Sequence, residues 1–190
     1  MATNMFEELA IKGAWLIRNI KYPDERGSFH EWFRENEITL RTGQNFVVAQ
    51  GNISTSKAGV VRGIHYSLAP MGQSKLVTCI SGKVWDVIVD LRQDSPTFKH
   101  WIGVDLNSET GDAVYLSGGL GHGFIALKDN SILCYLVSTT YSPKNEYEIN
   151  PFDLELAIDW PQFNYLLSDK DKNAPLLSQL IVENKLPKLN

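Results

Sequence analysis

Residues 82–91, "GKVWDVIVDL", decide the fold class. In an extended chain Trp85, Val87, Val89 and Leu91 share one face, and Val84, Asp86, Ile88 and Asp90 share the other. β-Branched and aromatic side chains of this kind suit a pleated, buried surface. Similar short runs surround it: "SKLVTCI" (74–80), "WIGVDL" (101–106), "AVYLS" (113–117), "GFIAL" (123–127) and "ILCYLVST" (132–139). Turn-forming clusters such as "SG", "LNSETGD", "KDNS" and "SPKNE" separate them. Strands at this spacing, with no helices alternating between them, predict an all-β antiparallel sandwich or barrel of the jelly-roll kind. One short C-terminal helix is expected, with Asn173 as its cap, Pro175 in its first turn and an apolar stripe of Leu176, Leu177, Leu180 and Ile181. No repeat, low-complexity stretch or linker divides the 190 residues, so the chain reads as one domain over 1–190.

Composition narrows the function classes. The 43% apolar and 21% charged content is that of an ordinary globular protein. A net charge of −4 argues against a nucleic-acid surface, so an anionic ligand would need locally placed Arg and Lys. Cys79 and Cys134 lie inside apolar runs without metal-ligand spacing, which predicts buried free thiols in a reducing compartment. The opening "MATNMFEELAIKGAWLIRN" is acidic where a signal peptide would be basic, and no apolar run approaches the roughly 20 residues of a membrane span. The expectation is a soluble, cytoplasmic protein with no membrane partner.

The polar residues inside the strand-like runs are the candidates for chemistry. "RGIHYSLAPMGQSKLV" (62–77) carries Arg62, His65 and Lys75. In a regular strand Arg62, Ile64 and Tyr66 alternate with Gly63, His65 and Ser67. A strand histidine is ordinarily a hydrogen-bonded structural residue, but Gly63 lets a backbone or ligand come close. Lys75 opens an apolar strand, where it either snorkels or faces a ligand. Tyr135 and Tyr141 would share one side of a continuous strand, as packed aromatics or as an acid and a stacking platform. Gln50 and Asn52 share a face and need polar partners if buried. In "DERGSFHEWF" (24–33), Phe29 and Glu31 share a face just after Arg26. The Gly-rich "SGGLGHGF" (117–124) precedes an apolar strand rather than a helix, so it reads as a tight turn beside His122, not a phosphate loop. His30, His65, His100 and His122 never fall at H-x-H or H-x-x-x-H spacing, which disfavours a metal centre.

Taken together, "DERGSFHEWF", "VVAQGNISTSKAGVVRGIHY", "GQSKLVTCISGKVWDVIVDLRQDSPTF", "YLSGGLGHGF", "YLVSTTYSP", "AIDWP" and "LSDKD" resemble the nucleotide-sugar 4-keto epimerases typified by dTDP-4-dehydrorhamnose 3,5-epimerase. The resemblance runs in order from about residue 24 to 171. It implies a cupin-type jelly roll working as a homodimer, with no metal and no organic cofactor. Its substrate would be a nucleotide-linked, dTDP-type 4-keto-6-deoxyhexose, inverted at C3, C5 or both. A hydrogen α to a ketone is a weak carbon acid, so its removal needs a base and charge stabilisation on the carbonyl oxygen. By resemblance His65 is the base, Asp171 the carboxylate that orients it (with Asp169 as the fallback), Lys75 the cation facing the enolate and Tyr135 the acid on the opposite face. Arg26, Phe29, Glu31, Gln50, Asn52, Arg62, His122 and Tyr141 would line the sugar, diphosphate and base pocket, Arg62 being the foremost diphosphate ligand.

Departures bear on which carbons react. Many bifunctional members read "RGLHYQ", whereas Ile64 and Ser67 stand here, and Leu136 follows Tyr135 where a Lys is common. An epimerase acting at one carbon, in a pathway to an unusual deoxysugar, is therefore the alternative. The 3,4-ketoisomerases of this fold also move protons beside a ketone, but "RGIHY" and "QSKLV" with a downstream "SDKD" favour an epimerase. A non-catalytic sugar-binding barrel accounts for the aromatics and amides. It gives no reason for a His, a Lys, a Tyr and a distant Asp together.

Overall fold

The alternation of residues 82–91 is realised as a strand buried on both faces. The computed structural model describes residues 4–69 and 72–189. In chain order its elements are β1 (Met5–Glu8), β2 (Ala14–Arg18), β3 (Tyr22–Asp24), β4 (Gly27–Phe29), α1 (Glu35–Thr42), β5 (Gln50–Ser56), β6 (Val61–Ser67), β7 (Lys75–Ser81) and β8 (Lys83–Asp90). There follow β9 (Trp101–Asn107), β10 (Ala113–Leu116), β11 (Leu120–Ala126), β12 (Ser131–Val137), β13 (Glu146–Glu148), α2 (Asp169–Lys172) and α3 (Leu177–Val182). Two sheets form the body, ordered β1-β2-β10-β7-β12-β5 and β13-β6-β11-β8-β9, and β3 and β4 make a separate hairpin. The jelly-roll expectation holds.

Side-chain alternation sorts the core into layers. Val84, Ile88, Leu106 and Leu120 from the second sheet meet Val77, Val114, Leu116 and Leu133 from the first, filling the space between the sheets. The other face of β8, with Val87, Val89 and Leu91, packs beneath the C-terminal segment through Trp160, Leu177 and Leu180. The outer face of the first sheet is covered by Ile38 of α1 and by Phe46, against Ile17, Leu76 and Tyr115. Covering both sheets leaves the inner faces as the place where a polar lumen can be enclosed.

The helices differ from expectation. The C-terminal helix starts at Leu177 rather than at Pro175, with Leu176 in extended conformation as its cap residue. A carboxylate distant in sequence takes over the capping: Asp153, 3% exposed, accepts from the Leu177 N–H at 2.8 Å. The Pro175 carbonyl meanwhile accepts from the Asn150 N–H at 2.9 Å, which keeps that residue outside the helix. Asn173 instead closes α2, and Leu176 faces solvent while Leu177 and Leu180 are buried. Helix α1 has no counterpart in the expectation, because Ile38 is its one buried side chain and no apolar stripe marks it.

Leu177 anchors the cover over β8, so Leu177→Ala is expected to cost about 2–5 kcal/mol in urea unfolding. Val182→Ala, on the same helix but 87% exposed, should stay within about 0.5 kcal/mol of the parent.

Candidate active site

The site begins with a register fault between β6 and β11. His122 pairs with His65 and Phe124 with Arg62, so the one residue between them on β11, Gly123, opposes two on β6, Gly63 and Ile64. Regular alternation would set Arg62 and His65 on opposite faces. The bulge returns both to the inner face, which corrects the alternation expected from the sequence. Gly63 makes it possible, with φ at +129° and a backbone so close that an added Cβ would lie 2.6 Å from Gly123 Cα. The Gly-rich turn is likewise shorter than expected, because Gly121, His122 and Gly123 belong to β11 itself.

His65 is tied to a helix from the far end of the chain. Its Nε2 lies 2.7 Å from Asp171 Oδ1. Asp171 is 4% exposed, its Oδ2 accepts from the Ser168 hydroxyl at 2.8 Å, and Ser168 caps α2 by accepting from the Asp171 N–H. Burial pushes the Asp171 carboxyl up. The hydrogen bond and charge of His65, the Ser168 hydroxyl and the Lys170 ammonium outweigh it and hold the group below the usual value. An ionised carboxylate only accepts, so His65 donates from Nε2 and leaves Nδ1 for another partner. Asp169 is almost fully exposed and pairs with Lys172, so the fallback position does not reach His65.

The facing sheet supplies the complementary groups. Tyr135 pairs with Val77 and Asn52, and Val137 with Lys75 and Gln50, which puts Lys75, Tyr135, Gln50 and Asn52 on one inner face. Lys75 is 7% exposed, and burial pulls its ammonium below the usual value against the carboxylates of Glu146 and Asp86. Burial pushes the Tyr135 phenol up, with the Arg62 guanidinium opposing, so the hydroxyl keeps its proton at neutral pH. Gln50 Nε2 donates to Asn52 Oδ1 at 2.7 Å, and Gln50 Oε1 accepts from the Tyr141 N–H at 2.9 Å. Tyr141 itself lies beyond the end of β12 and is 61% exposed, so it reaches the rim through this contact and not through a continuous strand. Arg62 spans the mouth, donating to Ser56 Oγ and the Thr55 carbonyl at 3.2 Å each.

Not every candidate joins this set. Arg26 is exposed and paired with Asp24 on the β3–β4 hairpin, and Phe29 is 70% exposed. Phe29 and Glu31 line a cavity of about 270 Å³ with Phe6, Ile17, Trp32 and Ile38, on the outer side of the first sheet and away from the lumen. Among the described residues, nothing bonds Arg26, Phe29 or Glu31 to the lumen groups. Conversely, sequence reasoning passed over Asp86 and Glu146. Asp86 Oδ2 lies 2.7 Å from His122 Nε2, with the carboxylate fully buried, and makes a second His–Asp pair behind the first. Among the described residues, no group of three or more His, Cys, Asp or Glu could hold a metal ion. Cys79 is buried and Cys134 half-buried, both as free thiols.

A jelly roll whose lumen opposes a His–carboxylate pair to a buried ammonium and a phenol has the layout of the cupin-type sugar epimerases. The chain belongs to the dTDP-4-dehydrorhamnose 3,5-epimerase family, whose model matches residues 8–179. It is 46% identical to the dTDP-4-dehydrorhamnose 3-epimerase of Streptomyces niveus, over 94% of this chain and 86% of that one. Against the dTDP-4-dehydrorhamnose 3,5-epimerase of Mycolicibacterium smegmatis the identity is 42%, over 95% and 89%. The crystal structure of NovW, a 4-keto-6-deoxy sugar epimerase from the novobiocin cluster of Streptomyces spheroides, superposes with a TM-score of 0.95 at 44% identity, covering 98% of this chain and 94% of that one.

Asp171→Asn, which removes the charge and the obligate acceptor behind His65, should lower turnover by roughly 10²–10⁴-fold. Asp169→Asn should leave it unchanged. Because the Asp171 pKa is depressed on folding, its stabilisation is present above the unfolded carboxyl value near ~4 and is lost as pH falls through the lower folded value. Urea midpoints measured from neutral to acid pH should lose this dependence in Asp171→Asn.

Proposed function

We propose that this protein is an epimerase of a dTDP-linked 4-keto-6-deoxyhexose, acting as one domain in deoxysugar biosynthesis. The observation that carries the reading is the His65–Asp171 pair set across the lumen from Lys75 and Tyr135. His65 Nδ1 removes the proton α to the C4 ketone. The ammonium of Lys75 stabilises the enolate oxygen, and the Tyr135 hydroxyl returns a proton to the opposite face. Inversion follows because donor and acceptor stand on opposite sides of one planar intermediate. His122, Gln50, Asn52 and Tyr141 hold the sugar and base, and Arg62 offers its guanidinium fork to the diphosphate.

C3 is the carbon named for both the 3-epimerase and the 3,5-epimerase relatives, so the reading commits to C3. The greater identity to a 3-epimerase supports a single-carbon enzyme as the second reading. We read the molecule as a cytoplasmic homodimer. The exposed hairpin with Arg26, Phe29 and Glu31 then serves the nucleotide of the neighbouring protomer, which explains why these residues stand apart from the lumen of their own chain. Among the described residues no helix is long and apolar enough to cross a membrane.

Incubation with dTDP-4-keto-6-deoxyglucose in deuterated water, read by proton NMR, should place deuterium at C3. A second label at C5 identifies a 3,5-epimerase, and its absence a 3-epimerase. No label at either carbon in a folded protein that binds the substrate would leave only a binding barrel. His65→Asn should abolish exchange while nucleotide-sugar binding persists.

Tyr135→Phe separates proton removal from proton return. The base, the cation and the ring packing stay, so an enolate still forms and His65 can reprotonate only the face it emptied. Inverted product should fall by roughly 10²–10⁴-fold while retentive exchange falls less. Equal losses of both would assign Tyr135 to enolate formation instead.

A further inference from the structure

A cation that is to receive an enolate must be protonated before substrate arrives, and Lys75 stands where this is difficult. It is 7% exposed, and burial pulls its ammonium below the usual value. Burial of this kind favours the neutral amine. Two carboxylates share the lumen side with it. Asp86, on the inner face of β8, is 0% exposed; its Oδ2 is fixed by His122 at 2.7 Å, and its Oδ1 is buried with no hydrogen bond among the described residues. Glu146, at the start of β13, likewise buries Oε1 without a hydrogen bond.

Buried carboxylate oxygens left without donors are costly unless a positive charge compensates them. Lys75 is largely buried without touching either carboxylate, and each carboxylate has an orphan oxygen, so the compensation is attraction across the lumen rather than a contact pair. We propose that Asp86 and Glu146 are positioning residues that keep Lys75 in its ammonium form, with His122 aiming the Asp86 carboxylate. This deepens the epimerase reading and rests on it for the role of Lys75. Both carboxylates act on Lys75 in the direction required, Glu146 more strongly than Asp86. The remaining ionisable groups on the inner faces are Arg62 and His65 on β6, His122 on β11, Tyr135 on β12, Cys79 on β7 itself, Asp90, which is already matched by Arg92 at 2.8 Å, and Glu148 opposite His65 on β13, which is matched by Lys170 at 3.0 Å. Of these, Arg62 is a like charge, and the carboxylates of Asp90 and Glu148 are already matched by cations of their own, which leaves Asp86 and Glu146 to hold the proton on Lys75.

The test measures Lys75 directly, in unliganded protein labelled with ¹³C-lysine, by following its Cε resonance with pH. In the parent the ammonium should persist at neutral pH. Glu146→Gln and Asp86→Asn should each move the midpoint down, Glu146→Gln the further, because each removes an opposite charge that favours the ammonium. His122→Asn, which keeps the Asp86 charge, should move it far less. The alkaline limb of the kcat profile should shift in step in the two carboxylate variants. A Lys75 already neutral at pH 7 in the parent, midpoints unchanged in the variants, or a loss of kcat uniform across pH would each overturn the proposal. If Asp86→Asn does not fold, Glu146→Gln and the parent titration decide alone. Absence of any turnover in the parent would count against the epimerase reading, and the Lys75 titration would still stand or fall on its own.

Discussion

The close approach of β6 to β11 is the contact on which the rest of the site depends. Gly63 lies against Gly123 with no room for a Cβ on either, and Ile64 packs over Gly121 and Gly123. That proximity admits the extra residue of β6, and the extra residue turns Arg62 and His65 to the same side. With regular pairing one of the two would lie on the apolar outer face among Val61, Ile64 and Tyr66. The imidazole and the guanidinium share a lumen because two backbones touch.

Charge is arranged within that lumen in layers. The inner surface of the second sheet bears two imidazoles side by side on neighbouring strands, each backed by its own buried carboxylate. They are not equivalent. His65 is about a third exposed at its side chain, whereas His122 is nearly enclosed. The same residue pair thus stands at the mouth, where the ring is open to solvent, and at depth, where it holds a carboxylate in place. The first sheet answers with an ammonium, a phenol and two amides.

Much of this was legible in the sequence, and the exceptions have physical causes. Period-2 patterning in 82–91 and its neighbours gave the strands, because a strand buried on both sides has few ways to carry polar residues. Asp86 was in view between Val84 and Ile88 on that strand, but a carboxylate there reads as a defect until His122 appears on the adjacent strand 36 residues away in sequence. The bulge was invisible because alternation assumes even pairing, and nothing local to Gly63 announces what lies across from it. Helix α3 was displaced because its cap comes from Asp153, 24 residues upstream of Leu177. Asp171 and its role came from the resemblance of "LSDKD", since no local pattern links a helix carboxylate to a strand imidazole. The hairpin residues were assigned by the same resemblance to a pocket that their own chain does not bring them to.

The His65–Asp171 contact joins residues 106 apart in the chain. Every inner-face group on both sheets is already present by Glu148, yet the carboxylate that fixes the imidazole follows only after the 149–168 segment has crossed the outer face of the second sheet. At the usual pace of about 5–20 residues per second on the ribosome, the strands emerge seconds before the residue that holds the His65 ring. A nascent chain therefore carries the His65 imidazole before the carboxylate that holds it, and the pair is completed by the tail rather than by the barrel.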